Sequence, residues 1–117
     1  MSTWEDKMHL LLDGIVRSGN DELTVRCALQ SIPDLIQLQI VHGPDVYRTP
    51  NGLVGIVIIA ESHIAIHIEG NRFFSDIFTC REFNSNLVVS YLTSLFALEG
   101  LRQSCFPRGI EFLDRML

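Results

Sequence analysis

Residues 53–80 read LVGIVIIAESHIAIHIEGNRFFSDIFTC, and the fold turns on this stretch. Leu53 to Ala60 is rich in valine and isoleucine, the composition of a buried strand. Glu61-Ser62 interrupts it, and a second strand follows from His63 to Ile68. Side chains alternate along an extended chain, so Ile64, Ile66 and Ile68 take one face while His63, Ala65 and His67 take the other. Gly70-Asn71 is a turn signal, and Phe73 to Cys80 makes a third strand with Phe74, Asp76, Phe78 and Cys80 on one side.

Working outward, Met8 to Asp13 is a short apolar run that reads as a first strand, ended by Asp13-Gly14. Asn20 or Asp21 can cap a helix reaching about Ser31, with Pro33 closing it. From Leu35 to Val41, Ile36, Leu38 and Ile40 alternate with Gln37 and Gln39, the pattern of a half-buried strand. His42 to Gly52 holds Gly43-Pro44, Pro50 and Asn51-Gly52 and reads as a loop. Asn84 caps a second helix whose stripe is Val88, Tyr91, Leu92 and Leu95, and Gly100 stops it. A last strand near Leu101 to Cys105 and a short C-terminal helical piece follow. The expected fold class is α+β: a two-layer sandwich, mainly antiparallel sheet with two main helices on one face, as a single domain over residues 1–117.

Composition narrows the function classes. The net charge of -5 argues against nucleic-acid binding, which calls for a basic face. No apolar run is long enough to cross a bilayer, so no membrane partner is expected. Met1 to Lys7 carries Trp4, Glu5 and Asp6 where a signal peptide would be basic then apolar, and the plain expectation is a cytoplasmic protein. Cys27, Cys80 and Cys105 are odd in number and widely spaced, which suits reduced thiols. Lys7 is the only lysine and sits near an N-terminus expected to be frayed. Pyridoxal phosphate chemistry needs a lysine, so an electrophile for amine chemistry must come from elsewhere.

The Ala60 to Cys80 block gathers a serine beside a glutamate, two histidines on one face, and a cysteine that the next strand can bring across from them. These residue types serve several chemistries and do not by themselves choose one. A metal site of His63, His67 and Cys80 lacks a fourth ligand, and no metal is expected.

Ala60-Glu61-Ser62-His63-Ile64-Ala65-Ile66-His67, followed by Asp76-Ile77-Phe78-Thr79-Cys80, resembles the signature of the prokaryotic S-adenosylmethionine decarboxylase family. Weaker matches are His9-Leu10-Leu11, Pro50 with Gly52, and Arg108-Gly109. The resemblance implies a pyruvoyl-dependent carboxy-lyase of polyamine biosynthesis, made as a zymogen and cut by itself between Glu61 and Ser62. The products are residues 1–61 (beta chain) and 62–117 (alpha chain). The pyruvoyl group, derived from Ser62, is the covalent cofactor that forms a Schiff base with the substrate amine. By the family's pattern His67 assists the acyl shift and elimination, Cys80 reprotonates the substrate carbon, and His63 orients groups near the cut. The family also builds its active sites at a two-fold interface, which implies a homodimer of cleaved protomers.

Departures from the family bear on substrate. The run after the second histidine reads His67-Ile68-Glu69-Gly70-Asn71, where the family has His-Thr-Trp-Pro-Glu. Alignment on Pro50 and Gly52 puts Arg48 where a phenylalanine stacks on adenine, and Val54 where a serine helps processing. The expected substrate is therefore a basic amino acid, L-arginine or L-ornithine, with Arg48 on its carboxylate and Glu69 or Asp76 on its distal cation. S-adenosylmethionine itself is the alternative. An inactive homologue that regulates an active subunit is a further one, motivated by Val54.

Overall fold

The computed structural model describes residues 7–108. Strands and helices follow in the order β1 (Lys7–Ile15), α1 (Glu22–Leu35), β2 (Ile40–Thr49), β3 (Gly52–Ile59), β4 (Ser62–Glu69), β5 (Arg72–Thr79), α2 (Ser85–Phe96) and β6 (Glu99–Arg108). The six strands form one sheet in the order β2-β3-β4-β5-β1-β6, every neighbouring pair antiparallel. Both helices lie on one face, giving the expected α+β sandwich. No helix among the described residues is long and apolar enough to cross a membrane.

The period-2 pattern of the central hairpins builds the core. Leu53, Val57, Ile59, Ile64, Ile66, Ile68, Phe73 and Ile77 turn inward, joined by Leu10 and Leu12 of β1. Val25, Leu29 and Ile32 of α1 and Val88, Leu92 and Phe96 of α2 close over them. Full burial of such a side chain contributes about 1.5–3 kcal/mol, so this single cluster carries the fold. The Phe73 and Phe96 rings meet at 5.0 Å between centroids. At Gly55 a β-carbon would come within 2.7 Å of Leu29 Cδ1 and 2.8 Å of Val25 Cγ1, so α1 rests directly on the β3 backbone.

The helix caps are as expected: Asp21 accepts from the Thr24 N–H at 2.8 Å, and Asn84 accepts from Asn86 and Leu87. Four expectations give way. First, α1 runs past Ser31 and through Pro33 to Leu35. The hydrogen bond that proline forfeits falls in the last turn, and its ring, like Ile32, is buried. Second, Leu35 to Gln39 is not a strand, and only Ile40 and Val41 of that run are extended, as the start of β2. Leu35 ends the helix, Ile36 caps it with its N–H on Ile32 O, and Gln37 is left-handed at φ 59°. Ile36 is spaced from Ile32 for a helix face as well as from Leu38 for a strand, and the helix claims it.

Third, His42 to Gly52 is not a loop, because β2 occupies Ile40–Thr49. Register shifts between Ile40 and His42 and between His42 and Asp45 absorb Gly43-Pro44. A proline is tolerated there because β2 is an edge strand. Lys7 opens β1, paired in register with Arg108. Fourth, Gly100 does not stop α2: chain reversal falls to Ala97, left-handed at φ 48°, while Gly100 lies within β6. The expected C-terminal helical piece lies outside the described residues.

Candidate active site

Register places the chemistry-bearing side chains on rows of the sheet face opposite the helices. Directly paired residues of antiparallel strands share a face. One row runs Tyr47, Val54, His67, Phe74, Asp13, Arg102. A parallel row nearer the other end of the sheet holds His63, Phe78, His9 and Phe106. Among the described residues no helix covers this face.

Ser62 sits at the far end, first in β4, after the two-residue turn Ala60-Glu61. Glu61 is left-handed, with φ 63°. In the next hairpin, between β4 and β5, the left-handed residue is a glycine, Gly70 at φ 61°. A residue with a β-carbon is held in that conformation at a cost of about 1–2 kcal/mol, so backbone strain falls on the residue just before Ser62.

The Ser62 side chain turns to the helix face and is only 5% exposed. Its hydroxyl donates to Ala60 O at 3.4 Å and accepts from the main-chain N–H of Cys80 at 2.8 Å. Cys80 stands at a bend just after β5, held by its neighbours. Thr79 Oγ1 donates to Arg81 O at 2.5 Å, and the Arg81 guanidinium donates to Ile36 O at 3.0 Å and Gln37 O at 2.6 Å. The end of α1 thus anchors the bend that meets Ser62.

A hollow of about 450 Å³ opens beside the turn, lined by Glu61, Ser62, His63, His9, Asp76 and Arg108. Asp76 is its hub. It is hydrogen-bonded by His9 Nε2, and His63 Nε2 lies 3.8 Å from the same carboxylate oxygen. Arg108 reaches His9 Nδ1 at 2.6 Å, and its guanidinium lies 5.4 Å from the Phe78 ring centroid. A guanidinium only donates, so Nδ1 accepts and Nε2 carries the hydrogen toward Asp76. Phe78 and Phe106 pack against the His9 ring.

Of the residues singled out from sequence, Glu61, Ser62, His63 and Asp76 share this hollow, and Cys80 reaches Ser62 through its main chain. His67 does not join them. It is five residues along β4, about 17 Å at ~3.3–3.4 Å per residue, and on the opposite strand face from Ser62. It lies in a second hollow, about 280 Å³, with Asp13, Phe74 and Arg102, and has Val54 directly across from it. Glu69 ends β4 3.9 Å from His67, far from the turn.

Arg48, expected on a substrate carboxylate, lies on the helix face of the sheet. It pairs in register with Leu53, whose row faces the helices, and it acts electrostatically on Asp21 at the start of α1. Tyr47 is the residue of that segment on the open face, 61% exposed. Sequence reading missed Tyr47 because β2 passed for a loop. It named His9 and Arg108 only as weak matches, although their meeting follows once β6 lies beside β1.

A two-layer α+β sandwich with a serine at a strained hairpin, joined to a cysteine at the bend after the next strand, is the class these features define. A sequence profile described as S-adenosylmethionine decarboxylase matches residues 9–109, and the chain belongs to that family. It is 36% identical over 70 residues to an S-adenosylmethionine decarboxylase proenzyme of Pyrococcus horikoshii, covering 57% of this chain and 50% of that protein. To the proenzyme of Geobacillus kaustophilus it is 29% identical over 67 residues, covering 56% and 54%. The chain thus spans about half the length of the curated relatives it matches. The crystal structure of the adenosylmethionine decarboxylase from Aquifex aeolicus superposes with a TM-score of 0.72 at 22% identity, over 91% of this chain and 92% of that one, a likeness of fold.

Proposed function

We propose that this chain is a proenzyme that cuts itself between Glu61 and Ser62 and becomes a pyruvoyl-dependent decarboxylase acting on S-adenosylmethionine. The observation that carries the reading is Ser62 itself: nearly buried, preceded by a strained left-handed glutamate, and hydrogen-bonded to the cysteine segment. The residues fit a pyruvoyl group made at position 62. The site needs no lysine, and the one lysine lines a different hollow, with Glu82 and Phe106. The group supplies a ketone that takes the substrate amine and receives the electrons left as carbon dioxide departs. Around it, Cys80, whose main chain meets Ser62, gives a proton to the substrate carbon. Asp76, fixed by His9, keeps His63 beside the cut. The mature chains are residues 1–61 and 62–117.

Two observations favour S-adenosylmethionine over L-arginine or L-ornithine. The relatives are named for it. Arg48, which motivated a basic amino acid, stands on the helix face, while Tyr47 offers an aromatic ring on the open face, in one row with His67 and Phe74. The distance from Ser62 to His67 supports a homodimer in which the open face meets a second copy and His67 serves the partner's cut. Val54 against His67 favours one other reading, an uncut regulatory subunit.

Carbon-dioxide release from S-adenosylmethionine, L-arginine and L-ornithine tests the substrate. Turnover of the first alone is expected. Faster turnover of either amino acid would restore the basic-substrate reading, and an uncut chain with no turnover would favour the regulatory one.

A further inference from the structure

Ser62 Oγ has two tasks in the proposed self-cleavage. It attacks the Glu61 carbonyl carbon, so that a C–O bond forms and the C–N bond breaks, with the hydroxyl proton passing to the freed Ser62 nitrogen. A base then removes the Ser62 α-proton, the Cβ–Oγ bond breaks, and Oγ leaves as part of the new Glu61 carboxylate. Water finally releases ammonia from the dehydroalanine nitrogen and leaves the ketone. In the second step negative charge gathers on Oγ, and the atom aimed at it is the main-chain N–H of Cys80, at 2.8 Å.

We propose that this N–H is a working part of the cleavage, stabilising Oγ as a leaving group, and that Arg81 is the positioning residue that keeps it there. The inference rests on the self-cleavage reading and is separate from any task of the Cys80 thiol. A fixed donor aimed at developing charge is worth far more than a hydrogen bond formed in water, because it needs no reorganisation at the moment of reaction. The contact is also built to persist. Arg81 spans from the bend to two carbonyls at the end of α1, and Thr79 closes the bend onto Arg81 O. Because Ser62 is nearly buried, little water is available to replace the donor.

The test follows fresh precursor by intact mass, with and without hydroxylamine, which cleaves esters and spares amides. Arg81→Ala is expected to cut at least ~10-fold more slowly than wild type, a fraction of the ~10²–10³ seen when such a donor is removed outright. Its uncut chains should accumulate as the ester, so hydroxylamine should split them into a Glu61 hydroxamate fragment and one beginning with a free Ser62 amine. Arg81→Lys should restore part of the rate. A purely structural role for Arg81 would slow both steps and leave no ester to trap. If Arg81→Ala fails to fold by circular dichroism, an ester in place of the Thr79–Cys80 amide removes the N–H alone and should show the same arrest. Cleavage at the wild-type rate in a folded variant, or slow cleavage without trapped ester, would overturn the inference. A wild-type chain that never cuts would overturn the self-cleavage reading itself.

Discussion

Ser62 and His67 stand five residues apart on one strand with their side chains on opposite faces, so no single chain brings the imidazole to the hydroxyl. If His67 assists cleavage, it does so in a second copy. Ser62→Ala and His67→Ala chains, each uncut alone, are then expected to complement when expressed together. The His67→Ala chain would be cut by the intact imidazole of its partner, read by intact mass. Failure to complement, with heterodimers confirmed by native mass, would place the helping base within one chain.

Glu61 carries backbone strain where a glycine would not. In the uncut Ser62→Ala background, Glu61→Gly is expected to raise stability by about 1 kcal/mol in urea unfolding. With Ser62 intact, the same change should slow cleavage several-fold, because the precursor has less strain to relieve. Faster cleavage would show that the left-handed turn contributes nothing to reactivity.

Tyr47 and Arg48 are adjacent but face opposite ways, and their substitutions should differ accordingly. Loss of a base-stacking ring costs about 1–3 kcal/mol, so Tyr47→Ala should raise KM for S-adenosylmethionine by about tenfold or more. Arg48→Ala should leave KM nearly unchanged. The reverse pattern in steady-state kinetics would return Arg48 to the substrate.

Asp21 offers a test of the fold alone. The Thr24 main-chain N–H, then its hydroxyl, holds the Asp21 carboxyl below its usual 3.8. A group whose folded value is depressed contributes stability above its unfolded value and loses it as pH falls through the folded one. Asp21→Ala should therefore unfold at lower urea than wild type at pH 7, with the gap narrowing below about pH 4. A gap that is constant with pH would mean the carboxylate charge plays no part in the cap.

Much of this was legible in the sequence, for physical reasons. The β3–β4–β5 meander was readable because isoleucines, phenylalanines and turn residues all obey period 2, and the same rule set His63 and His67 on one face. Asp21 and Asn84 were readable as caps because a short polar side chain at a helix start has one favoured use. β2 was hidden because Gly43 and Pro44 signal a turn, and only the paired edge of β3 turns them into irregularities of a strand. Adjacent residues of a strand take opposite faces, so with β2 unread the faces of Tyr47 and Arg48 were unread too. The Arg108–His9–Asp76 chain could not be read locally, because it depends on β1 lying between β5 and β6. The meeting of the Cys80 N–H with Ser62 likewise needs the tertiary fold, since periodicity describes side chains and not a main-chain bend.

The central claim is a broken peptide bond, and intact mass of the purified protein measures it most directly. The account predicts two fragments, residues 1–61 with an ordinary C-terminal Glu61 and residues 62–117 beginning with a ketone in place of the serine amine, and a whole chain when Ser62 is changed to alanine. A wild-type protein that remains one chain of 13.2 kDa would contradict it.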